Sequence, residues 1–130
     1  MSINNGSGFV PPLGSGGGGS FSGLIVPLDF NDLSTSINPT TYTLQLYVPY
    51  TNGYTINALY IQSASGTCTA SLQINGTPVT GISAVSVSSV LATANATGAN
   101  TASQGNTITL VISSPSSLNN LQGTVSCSLI

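Results

Sequence analysis

The chain has 130 residues, of which 40% are hydrophobic and 15 are glycine, with Asp29 and Asp32 as its sole charged side chains and no Lys, Arg, His or Glu. That is one domain's worth of chain, and its lack of base and acid excludes several classes of function. Phosphate neutralisation needs Lys or Arg, so nucleic-acid binding is excluded; no apolar run approaches a membrane span; and acid–base or nucleophilic catalysis lacks its usual side chains, so no enzyme and no cofactor are expected.

Low charge with much Ser, Thr, Asn and Gly raises the question of disorder, but a mean hydropathy of +0.35 with a net charge of only -2 is the opposite of the disordered signature. A folded domain with a charge-poor surface is expected, and such a surface suits a protein that lives inside an assembly, where self-repulsion is not needed for solubility. The start shows no basic segment followed by an apolar one, which predicts synthesis and assembly in a cytoplasm.

Residues 1–22 read as an arm: an apolar knot holding Phe9, Val10 and Leu13, preceded by Ile3 and followed by a Gly/Ser run with the composition of a flexible linker. Extended at ~3.3 Å per residue, such an arm reaches about 70 Å, enough to cross a neighbouring subunit. Ile3, Phe9, Val10 and Leu13 are the candidate anchoring residues.

From Gly23 to the end, short period-two segments closed by Gly, Pro or Asn predict an all-β domain. Leu24, Val26, Leu28 and Phe30 share a face of the first strand, and Pro27 marks it as an edge strand. Tyr42, Leu44, Leu46 and Val48 share a face of the second. A third runs from Tyr54 to Ser63, where a change of phase between Ile56 and Leu59 predicts a bulge. The fourth, Thr67 to Ile74, turns Cys68, Ala70, Leu72 and Ile74 inward, and Asn75-Gly76 predicts a type I′ hairpin into Thr77-Pro78-Val79. Val85 and Val87 mark another strand; Ala92 to Gln104 is small and polar and is expected to include a loop around Gly98; Ile108, Leu110 and Ile112 open a strand stopped at Ser114-Pro115; and Val125, Cys127 and Leu129 share a face of the last. About eight strands at this spacing predict a single β-sandwich, jelly-roll-like over residues 23–130, with an immunoglobulin-like sandwich as the competing topology. No Lys guards the strand edges, so neighbouring subunits are expected to cover them.

Few residues are candidates for chemistry. Cys68 and Cys127 are expected as buried thiols, with a disulfide between them as the alternative. Asp29 and Asp32 are the only candidate ligands for a hard cation, but a turn in which Asp32 or Asn31 bonds its own backbone is the favoured reading, so no metal is expected. The Tyr50-Thr-Asn-Gly-Tyr54 segment is a candidate contact for a subunit or a glycan through Tyr50, Asn52 and Tyr54.

The runs from Ser65 to Ile82 (SGTCTASLQINGTPVTGI), Ala84 to Ser88 (AVSVS) and Gly105 to Ser113 (GNTITLVIS) resemble small β-rich domains of tailed-bacteriophage virions, found in head fibres, tail fibres and capsid-decoration proteins. The resemblance implies a non-enzymatic structural protein of the virion, often a homotrimer, with the major capsid protein or other virion proteins as partners. It brings no functional residue to particular positions. A carbohydrate-binding host-attachment module is the alternative.

Overall fold

The computed structural model describes residues 23–33 and 40–130, apart from the side chain of Asp32. The arm, residues 1–22, with Ile3, Phe9, Val10 and Leu13, lies outside the described residues. Eight strands follow: β1 (Ile25–Leu33), β2 (Thr40–Gln45), β3 (Tyr54–Ile74), β4 (Thr77–Pro78), β5 (Val85–Val87), β6 (Ala92–Asn95), β7 (Thr101–Ala102) and β8 (Ile108–Leu129).

The fold is governed by β3 and β8, of 21 and 22 residues, antiparallel along nearly their whole lengths. A straight strand of that length would span about 70 Å, roughly twice the width of a domain this size, so the pair has to bend. Its corner lies between Ser63 and Thr69 on β3 and between Ser113 and Leu121 on β8. From the pair Ser65–Asn119 to the pair Thr69–Ser113, β3 advances four residues while β8 advances six, so β8 takes the outside of the bend. Ser114, Ser117 and Asn120 supply it with positive φ near 50°. On the inside, Gly66 has φ 79°, and a Cβ there would run into the carbonyl of Ser117.

Each half of the bent pair gathers its own flanking strands. One layer has the order β1, second half of β8, first half of β3, then β6 and β7; the other has β2, first half of β8, second half of β3, then β5 and β4. Counting the halves of β3 and β8 as separate strands and leaving out the two-residue β4 and β7, the layers read 1-8-3-6 and 2-7-4-5, which is the jelly-roll arrangement of two Greek keys. The expected all-β sandwich is therefore the fold.

Between the layers lies one core. Ile56, Leu59 and Ile61 from the first half of β3 meet Ala70, Leu72 and Ile74 from the second, with Ile108, Leu110, Ile112, Leu121, Val125 and Cys127 from β8. Phe30 enters from β1 and rests on Gly123, where a Cβ would meet its Cζ at 2.7 Å. The predicted bulge is present as a register shift between Ile56 and Ala58, and the Asn75-Gly76 turn has φ 51° and 83°, as a type I′ hairpin requires. Among the described residues β1 pairs with β8 alone, which puts Pro27 on an edge strand there.

Two expectations need correction, and one further stretch holds strands that the sequence pattern does not mark. The second strand stops at Gln45: the register slips between Thr43 and Gln45, the chain bends at Leu46 and Tyr47, and Leu46 is 75% exposed rather than inward, while Val48 is buried. The stretch from Ala92 to Gln104, in which no strand is marked by the sequence pattern, contains β6 and β7 on either side of the expected loop around Gly98, because Ala92, Ala94 and Ala96 alternate with exposed polar residues and pack against the core. The third and fourth strands, and likewise the last two, are continuous through the corner.

Candidate functional site

The termini of the folded head and the segments Leu46–Gly53 and Ala96–Thr107 meet at one end of the sandwich, opposite the corner. Gly23 N–H donates to the Leu129 carbonyl, Leu129 N–H to the Leu24 carbonyl at 2.8 Å, Ile130 N–H to Gly53, and Gly53 N–H to Tyr50 at 2.9 Å. The Val48 N–H to Asn106 and Gly105 N–H to Val48 bonds tie the first segment to the second. This end carries the exposed apolar side chains Leu24, Ile25, Leu46, Tyr47, Tyr50 and Ile130. Gly23, the first residue described, is anchored at this end. Single exposed apolar residues are ordinary; here several gather at one end of the head.

Both outer faces of the sandwich are uncharged over most of their area. On one, Thr41 and Thr43 lie beside Val111 and Thr109, which lie beside Ser71 and Gln73. On the other, Tyr60 stands between Thr93 and Thr124, and the Thr124 hydroxyl donates to Asp29 Oδ1 at 2.7 Å. Asp29 thus binds a neighbouring strand, and Asp32's side chain lies outside the described residues. Among the described residues no group of three or more His, Cys, Asp or Glu is placed to hold a metal ion.

The predicted aromatic contact divides. Tyr50 and Asn52 are exposed, whereas Tyr54 is fully buried, its ring edge-on to Tyr50 with centroids 5.8 Å apart. Tyr54 is a core residue because it opens β3 in phase with Ile56, and it is unable to stack on a sugar. Its hydroxyl is buried with no hydrogen-bond partner among the described residues, and burial, then the Cys127 and Tyr50 side chains, push its ionisation upward. The two cysteines are free thiols and form no disulfide. Cys68 lies opposite Val87 in one layer and Cys127 opposite Ile56 in the other, and burial pushes the Cys127 thiol up to about 12.

Sequence reasoning did not single out two features. One is the exposure of Leu46, which the continued period of two concealed. The other is a shallow hollow of about 380 Å³ whose lining includes Asn75, Thr77, Ala99, Asn100, Thr101 and Asn106; nothing in local pattern distinguishes those residues from ordinary turn formers. A second hollow at the corner, about 340 Å³, is lined by Ser and Thr hydroxyls with Cys68 and Val87. Comparison with protein-family models, with curated proteins and with solved structures finds no match to this chain.

Proposed function

We propose that this chain is a non-enzymatic structural subunit of a tailed-bacteriophage virion: a jelly-roll head that self-associates as a homotrimer and is fixed to the capsid or tail by its arm, residues 1–22, after assembly in the host cytoplasm. The observation that carries this reading is the exposed apolar end formed by Leu24, Leu46, Tyr47, Tyr50 and Ile130, at which Gly23 is anchored, on a chain with only two charged side chains. So little charge gives a free protein weak protection against association, and an edge strand such as β1 has no Lys to discourage pairing. A subunit held among copies of itself and a major capsid protein has both surfaces covered. The likeness of Ser65–Ile82 and Gly105–Ser113 to virion domains points the same way, as does the use of jelly rolls in capsids.

The test is immunogold labelling of particles assembled with the full chain and with a version lacking residues 1–13. Label is expected on the first particles and not on the second, while the truncated head remains folded. Equal labelling of both would remove the anchoring role from Phe9, Val10 and Leu13, and absence of label from the full-chain particles would overturn the virion reading.

A further inference from the structure

Three amide side chains in the lining of the hollow between the Asn75-Gly76 turn and the Ala99–Asn106 segment are held by hydrogen bonds. Asn75 Oδ1 accepts the Thr107 N–H at 2.8 Å, Asn106 Oδ1 accepts the Ser103 N–H at 2.8 Å, and Asn100 Nδ2 donates to the Ile56 carbonyl at 2.8 Å. Each bond fixes which way round its amide lies, since an amide oxygen only accepts and an amide nitrogen only donates. Asn75 Nδ2, Asn106 Nδ2 and Asn100 Oδ1 are the halves left over, none with a partner among the described residues. Two donors and one acceptor are thus locked in orientation around one hollow, with the hydroxyls of Thr77 and Thr101 beside them.

Two further observations mark the place. Ala99, in the wall of the hollow, has φ 48°, a conformation unusual for a residue with neither glycine's freedom nor a side chain that bonds locally, and such strain gathers at binding sites. Tyr47, 58% exposed, lies over Gly105, next to Asn106; a Cβ on Gly105 would touch its ring at 3.5 Å. An exposed ring beside Gly105, next in sequence to Asn106, offers a flat apolar surface to the C–H face of a pyranose, while sugar hydroxyls both accept from amide nitrogens and donate to an amide oxygen.

We infer that this hollow binds a neutral saccharide through Asn75, Asn100 and Asn106, with Tyr47 as its stacking face. The chain has no cationic side chain to neutralise a sialic or uronic acid, and no carboxylate lines the hollow, which selects uncharged sugars. The site is distinct from Tyr50 and Asn52, and the inference stands independently of the virion reading.

The test applies the purified full chain to an array carrying neutral oligosaccharides ending in glucose, galactose, mannose or N-acetylhexosamine beside sialylated and uronic-acid oligosaccharides, then titrates the strongest neutral binder. Asn75→Asp and Asn106→Asp keep the Oδ1 that accepts the structural N–H and replace the free donor by an oxygen. Each is expected to weaken binding by about tenfold or more. Asn52→Asp adds the same charge in the Tyr50–Tyr54 turn and should bind as the parent does. Thr101→Val, which touches neither structural bond, should weaken binding by about threefold and serves if an Asp variant fails to fold. No neutral glycan above background, binding confined to acidic glycans, undiminished binding by folded variants of the hollow, or equal weakening by Asn52→Asp would each overturn the assignment.

Discussion

With no His, Lys, Arg or Glu, the folded head should respond to alkali through its buried thiols. Cys127 is fully buried, and burial raises its thiol from an ordinary 9.0 to about 12; Cys68 is raised for the same reason. Below pH 9 both states hold their protons and stability is fully present; above it the unfolded chain releases them while the folded chain does not, so stability falls as pH rises toward the folded value. For Cys127 alone the loss is about 1 kcal/mol at pH 10 and roughly 4 kcal/mol by pH 12. Tyr54 and Tyr42, both raised by burial, add to the fall once unfolded tyrosines ionise, from about pH 10. Urea unfolding followed by circular dichroism, with reductant present, should give midpoints that are level from about pH 5.5 to 8.5 and then decline. Cys127→Ala should lower the midpoint at neutral pH and flatten the decline between about pH 9 and 10. A midpoint unchanged up to pH 10, or a decline as steep in Cys127→Ala as in the parent, would refute the burial of a protonated thiol at this position.

Two further predictions concern single residues. Tyr54→Phe removes a buried hydroxyl without a partner among the described residues and should stabilise the head by about 1 kcal/mol, raising Tm by about 4 °C in a calorimetric scan; a loss of that size would mean that the hydroxyl is satisfied. Gly66→Ala places a Cβ against the Ser117 carbonyl at φ 79° and should cost about 3 kcal/mol by chemical unfolding; a cost below about 0.5 kcal/mol would mean that the corner is not tight there.

The fold was legible where side-chain parity and turn chemistry agree. Leu72 and Ile74 alternate up to Asn75-Gly76, whose residue types favour positive φ, so strand, register and hairpin followed together. Parity fails where the backbone leaves the pleat. The register slip near Gln45 and the bend after it put Leu46 outside although it keeps the spacing of Tyr42 and Leu44. Weak apolar contrast hid β6, since Ala92, Ala94 and Ala96 differ too little in hydropathy from their neighbours to signal a face. The corner was read as two strand ends because Ser114-Pro115 ordinarily stops a strand; here the residues from Ser114 to Asn120 carry β8 around the bend instead.

The candidate site was less legible for a different reason. Tyr54 closes the candidate contact segment in the sequence, yet it lies two residues before Ile56, and that parity places it in the core. Asn75, Asn100 and Asn106 are far apart in sequence and acquire a shared role only when the Asn75-Gly76 hairpin and the segment leading into β8 meet at one end of the sandwich. No local pattern carries such long-range convergence.

The central claim, that this head is a subunit covered by its own copies, is tested most directly by size-exclusion chromatography with light scattering on the full chain and on a version beginning at Gly23. A discrete trimer from both is the expected result. A monomer from both at every concentration would contradict self-association.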